Sequence, residues 1–228
     1  MSVAAERTIE IDGVRHYLAR PAQPSGAGVL LLPHNVGVDH FVQTFADELA
    51  GRGYTTIAWN PYPSVPLGEA FTERPPRPND EATMKALSRC LDVMASGYGV
   101  TAFATLGFCM GGRYVLLFGA RERRLRAAVA CYPSIPVQLS PGQDLEPIPA
   151  AAAIACPVQV AYPGRDIVTS RTTFEALQAQ LQGRAAETSI LYYPQAEHGF
   201  MHAPSPANDA ATRTAKPQIF GFLESCMR

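Results

Sequence analysis

The sequence predicts an α/β fold, a doubly wound and mostly parallel sheet with helices on both faces, built by residues 1–228 as one domain. Three observations predict it. Short apolar runs alternate with segments of helical periodicity at the spacing of βαβ units. The residues best suited to chemistry fall just past the ends of those runs, where open α/β sheets carry their sites. With 47% hydrophobic and 17% charged residues, the chain can bury a large core.

The elements follow in order. Thr8 to Ile11 and Val14 to Leu18 flank Asp12-Gly13, a two-residue hairpin signal. Gly28 to Pro33 reads as a buried strand ending in Pro33-His34-Asn35. Phe41, Phe45 and Leu49 give helical spacing to Phe41–Arg52, which closes on Gly53. Tyr54 to Trp59 is a strand. A proline-rich excursion follows from Asn60 to Pro78 (Pro61, Pro63, Pro66, Pro75, Pro76, Pro78), long enough to suggest a pocket mouth. Asp80 to Ser96 reads as a helix capped near Asn79 or Asp80. Further strands are expected at Thr101–Leu106, Leu125–Tyr132, Pro157–Tyr162 and Thr188–Tyr193, and helices at Met110–Ala120, Ser170–Leu181 and Pro206–Met227. The stretch from Tyr132 to Ala153 reads as loop-rich.

Charge and cysteine usage exclude several classes. The 19 basic and 20 acidic residues leave a formal net charge of -1, so neither nucleic acid nor a membrane is expected as a partner. Cys90, Cys109, Cys131, Cys156 and Cys226 are odd in number, widely spaced and without C-x-x-C, which points to a reducing, cytoplasmic setting and against a disulfide framework or zinc site. No apolar stretch is long enough to span a bilayer, and the first residues do not read as a signal peptide.

Gly107-Phe108-Cys109-Met110-Gly111-Gly112 stands where a strand pattern hands over to a helical one. That is the layout of a nucleophile elbow with cysteine as nucleophile: small flanking residues allow a strained backbone, and the helix N-terminus favours a thiolate. The plain alternative is a glycine-rich turn with a packed cysteine. A cysteine that transfers acyl groups needs a base and a group to orient it. Asp166 follows the strand ending at Tyr162 and His198 the one ending at Tyr193. The order nucleophile, acid, histidine is that of α/β-hydrolases. Asp166 by itself could be an ordinary turn residue, and His198 by itself a structural one. Glu197 is a poor orienter, being adjacent to the histidine. The backbone N–H groups of Met110 and Val36 are the expected oxyanion donors. Asn35, Tyr62, Phe71, Arg74 and His202 are candidates to touch substrate. His202 lies four residues past His198, but no carboxylate ligand set accompanies the pair, so no metal is expected. His16, His34 and His40 have no informative context.

The chain resembles the dienelactone hydrolase family of α/β-hydrolases. The resemblance rests on Leu30-Leu31-Leu32-Pro33-His34, the elbow segment, Gly164-Arg165-Asp166, and Tyr193-Pro194-Gln195-Ala196-Glu197-His198-Gly199-Phe200, and runs from about Gly28 to the C-terminus. It implies a Cys109–His198–Asp166 triad, a small lactone or carboxylic ester as substrate, an acyl-thioester intermediate, no cofactor, a cytosolic location and a monomer rather than an oligomer. Family members usually carry glutamate where this chain has Asn35, and Pro-Asp where it reads Asn60-Pro61 after Trp59. Those acting on dienelactones bind the substrate carboxylate with arginines, one where this chain has His202 and another in the loop of Arg74 and Arg77. Two rival readings stay open: a lyase, isomerase or transacylase on the same fold, and a ligand-binding protein with a degraded site.

Overall fold

The computed structural model describes residues 7–69, 71 and 75–228. Its centre is an eight-stranded sheet in the order β1-β2-β4-β3-β5-β6-β7-β8. The strands are β1 (Thr8–Ile11), β2 (Val14–Ala19), β3 (Ala27–Leu32), β4 (Thr55–Ala58), β5 (Ala102–Phe108), β6 (Leu125–Cys131), β7 (Val158–Arg165) and β8 (Thr188–Glu197). β1 and β2 pair antiparallel, as do β2 and β4, and every other pairing is parallel. The hairpin forms where Asp12-Gly13 predicts it: both residues take positive φ, 50° and 79°, as a tight two-residue turn requires.

Helices cover both faces because the central strands alternate apolar side chains to either side. In β3 every residue is buried. Leu30 and Leu32 pack with the face that carries α2 (Asp80–Tyr98), α3 (Met110–Arg121) and α5 (Arg171–Gln182). Val29 and Leu31 pack with the face that carries α1 (His40–Ala50) and α6 (Pro206–Met227). A short α4 (Pro147–Ala151) lies in the stretch that the sequence leaves as loop. The caps are local chemistry. Asp39, Asn79 and Ser170 each accept a backbone N–H from the first turn of α1, α2 and α5. None of the described helices is long and apolar enough to cross a membrane.

Two differences from the expected boundaries matter for the site. β7 and β8 run on to Arg165 and Glu197, past the Tyr162 and Tyr193 expected as their ends. Pro194 is tolerated within β8 because this is an edge strand, with one side free of the ladder. The added residues pair Arg165 with Glu197, so Asp166 and His198 leave the sheet side by side.

Candidate active site

The turn at Cys109 is strained, and its neighbours show why. Cys109 has φ 52° and ψ −110°, a conformation that L-residues avoid. A Cβ on Gly107 would stand 2.5 Å from the Gly111 carbonyl, and one on Gly111 would stand 2.2 Å from Leu32 O. Only glycine fits at either position. The strain is held from three sides: Cys109 N–H donates to Cys131 O, Ser134 N–H donates to Cys109 O, and Gly111 N–H donates to Pro33 O. Cys109 is therefore fixed at the start of α3, half-buried, while Cys90, Cys131 and Cys156 are buried in the core and their thiols pushed up by desolvation.

His198 Nδ1 lies 2.9 Å from Asp166 Oδ2 and 3.1 Å from Oδ1. The Asp166 side chain is fully buried. Its Oδ1 also accepts the N–H groups of Val168 and Thr169, at 2.7 and 2.9 Å. Asp166 is thus a turn aspartate and a histidine partner at once. Thr169 ties this turn to the elbow: its hydroxyl donates to Pro133 O at 2.7 Å and accepts Ile135 N–H at 3.0 Å. Burial opposes the charged form of His198, but the Asp166 carboxylate and the Cys109 sulfur outweigh it and push the pKa up to about 9. His198 Nε2 is buried, and no described group meets it at hydrogen-bond geometry. Cys109 is nevertheless near enough to raise the histidine's pKa. Glu197 points to solvent instead, and its N–H donates to Asn208 Oδ1.

The other expected residues divide. Met110 N–H is the first of α3, where no intrahelical acceptor exists. Val36 and Asn35 are half-buried in the β3–α1 turn, which Gly37 N–H closes by donating to His34 O. Tyr62 reaches the site, its hydroxyl 3.5 Å from Met110 Sδ, and Phe71 packs edge-on against it at 5.9 Å. Arg74 lies outside the described residues. Arg77 puts Nη1 3.5 Å from Met110 Sδ, half-buried and without an ion pair among the described residues. His202 stacks on His34 with ring centroids 4.3 Å apart and 9° between planes.

His34, the partner of His202 in that stack, and Tyr132 are site residues that the sequence does not mark. His34 is buried, its Nε2 3.1 Å from Asp39 Oδ2 and its Nδ1 without a hydrogen-bond partner among the described residues. Tyr132, fully buried at φ 38°, sets its ring edge-on to His198 and its hydroxyl 3.3 Å from His202 Nδ1. Burial, with the neighbouring His34, pushes the His202 pKa down to about 4, so the His202 ring is neutral. One signal could have found both: His34 and Tyr132, like Cys109, sit just past the C-terminal ends of neighbouring parallel strands.

An eight-stranded, mostly parallel sheet with a cysteine elbow after β5, an acid after β7 and a histidine after β8 defines an α/β-hydrolase. The model of the dienelactone hydrolase family matches residues 14–227. A relative from Escherichia coli K12 named "Putative carboxymethylenebutenolidase" is 28% identical over 221 residues, covering 88% of this chain and 78% of the relative. The carboxymethylenebutenolidase of Rhodococcus opacus is 26% identical over 223 residues, covering 94% and 86%. Among solved structures, one titled a putative dienelactone hydrolase from Klebsiella pneumoniae superposes with a TM-score of 0.79 at 23% identity, covering 95% of this chain and 96% of its own. The chain belongs to the dienelactone hydrolase family and is a hydrolase.

Proposed function

We propose that this hydrolase opens a small lactone or cleaves a small carboxylic ester by covalent catalysis at Cys109. The sulfur attacks the carbonyl carbon, and the carbonyl π electrons move to oxygen, where the N–H groups of Met110 and Val36 hold the charge. Collapse breaks the C–O bond. His198 Nε2 delivers its proton to the departing oxygen, leaving an acyl-thioester. The neutral imidazole then takes a proton from water as that water attacks the thioester, and the acid is released with the sulfur restored. Asn35 is an amide and takes no proton, so both transfers fall on His198.

The observation that carries this reading is His198 itself. Its Nδ1 is anchored on a buried carboxylate at 2.9 Å, which leaves Nε2 to face the reacting groups. Arg77, beside Met110 and without an ion pair among the described residues, supplies the cation for an anionic substituent of the substrate. The substrate lies between Tyr62 and the neutral His202 ring. Cys109→Ala should abolish turnover of p-nitrophenyl acetate or a simple lactone, and intact-protein mass spectrometry of the native chain should show an acyl adduct on Cys109. Wild-type turnover by the alanine variant would overturn the assignment.

A further inference from the structure

On the opposite side of the Asn60–Pro63 segment from Met110 lies a cleft of about 300 Å³. Ile11, Trp59, Pro61, Pro63 and Pro78 give it apolar walls. Tyr62, between two of those prolines, turns away to reach Met110. The same short segment therefore borders the cleft and reaches the residue next to Cys109.

Of the polar side chains in the wall, His16 is the buried ring, only 3% exposed, beside the buried Asn60 and Thr83. Its Nδ1 accepts the Asn60 N–H at 2.9 Å. Burial pushes its pKa down to about 4, against the pull of Asp12, so the ring is neutral. With Nδ1 accepting, the proton must sit on Nε2. That N–H has no partner among the described residues, yet it is not among the sealed, unsatisfied atoms of the interior. A buried ring with a fixed donor at the wall of an apolar cleft is complementary to a ligand that brings an acceptor. The charges at the rim neutralise one another: Arg89 lies 3.4 Å from Asp12 and 3.9 Å from Asp92. Nothing there selects an ion.

We propose that this cleft is a second binding site, for a small neutral molecule with one flat apolar ring and one carbonyl oxygen, the oxygen accepting from His16 Nε2–H. Its volume is at the small end of ligand sites, room for a single ring and its substituent. The proline and tryptophan faces suit a planar body. The site touches the reacting region through His16, Asn60 and Tyr62, because Asn60 Oδ1 accepts Tyr62 N–H at 3.0 Å.

Trp59 is the one tryptophan of the chain, so its emission reports occupancy directly. Acetophenone is the probe, and ethylbenzene, of like shape without the oxygen, is its control. The protein is used whole, native and after alkylation of Cys109 by iodoacetamide. Expected is a saturable change in Trp59 emission with acetophenone in both forms, with ethylbenzene weaker by roughly three- to tenfold, the worth of one neutral hydrogen bond. Ala86→Phe, which fills the cleft from the half-buried face of α2, should weaken acetophenone at least tenfold. In ¹⁵N-labelled native protein, the His16 Nε2 resonance should move with acetophenone and not with ethylbenzene. The proposal is overturned by the absence of a saturable change, by its loss on alkylation, by equal affinity for ethylbenzene, or by a His16 resonance that stays still.

Discussion

Asp166→Asn tests the site at the atom on which the mechanism turns. Asp166 Oδ1 accepts three donors: the N–H groups of Val168 and Thr169 and, at 3.1 Å, His198 Nδ1. An asparagine in this turn must keep its oxygen there, or two backbone donors lose their acceptor. Its amide nitrogen then replaces Oδ2, the atom 2.9 Å from His198 Nδ1. A donor now faces Nδ1, and the neutral ring turns to the other tautomer, with hydrogen on Nε2. In that form Nε2 cannot take a proton from Cys109 or from water. The charge argument adds to this. The native pKa of about 9 stands some 2.5 units above the ordinary histidine value, which corresponds to about 3 kcal/mol of preference for the imidazolium. Much of that preference goes with the carboxylate, so the step in which imidazolium protonates the leaving oxygen should slow by roughly a hundredfold or more. Heteronuclear NMR on ¹⁵N-histidine protein reads both effects: the His198 midpoint should fall by at least a unit, and the neutral ring should carry its proton on Nε2. Turnover of p-nitrophenyl acetate should fall in parallel. A His198 that still titrates near its native midpoint, with Nδ1 protonated, would refute the reasoning.

Other consequences are independent of that one. Asp80 and Arg113 form a bidentate pair at 2.7 and 2.8 Å, both side chains almost wholly buried, and Asp80 Oδ2 also accepts the N–H groups of Asp144 and Leu145. Asp80→Ala strands the guanidinium inside α3 and should remove ~3–5 kcal/mol, a fall in Tm of about 6–20 °C by calorimetry. An unchanged Tm would show that Arg113 finds water instead. Arg77→Met should raise KM for a carboxylate-bearing lactone by roughly tenfold or more, the worth of a charge-assisted hydrogen bond, and leave KM for a neutral ester within about twofold. Equal effects on both substrates would remove Arg77 from substrate binding.

Much of the fold was legible because local and global signals agree in this chain. The Asp12-Gly13 turn, the fully apolar β3 and the cap near Asn79 can each be read from a few residues, and each has the same meaning in the sheet. The elbow, acid and histidine could be placed for the same reason, since strand ends mark the functional rim. What escaped depends on contacts between distant segments. β7 and β8 outrun their apolar patterns because Pro163, Gly164 and Pro194 look like turn residues, and they stay extended because β7 has left its β6 pairing after Ala161 and β8 is an edge strand. His34 and His202 are 168 positions apart in sequence, and no periodicity relates them. His16 looks like a strand residue that happens to be polar, and only the Asn60 N–H on its Nδ1 reveals a fixed tautomer.

The histidines together predict the shape of the stability curve. In the folded chain the pKa of His198 is raised to about 9, while burial lowers those of His16 and His202 to about 4. A raised histidine contributes fully below its unfolded pKa of ~6.5, and the contribution fades as pH rises through the folded value. His198 should therefore withdraw up to about 3 kcal/mol between roughly pH 6.5 and 9. A lowered histidine acts in the opposite sense. His16 and His202 are neutral in the fold at a pH where the unfolded chain already binds protons there, so stability declines as pH falls from ~6.5 toward 4. His16, almost wholly buried, accounts for up to about 3 kcal/mol of that arm, and the part-exposed His202 for less. Stability should then peak between about pH 6 and 7, with arms that belong to different residues. Urea unfolding at a series of pH values in wild type and Asp166→Asn separates them. The substitution should flatten the alkaline arm and leave the acid arm standing. An alkaline arm unchanged by the loss of the carboxylate would mean that another group, and not the imidazolium at position 198, releases the proton there.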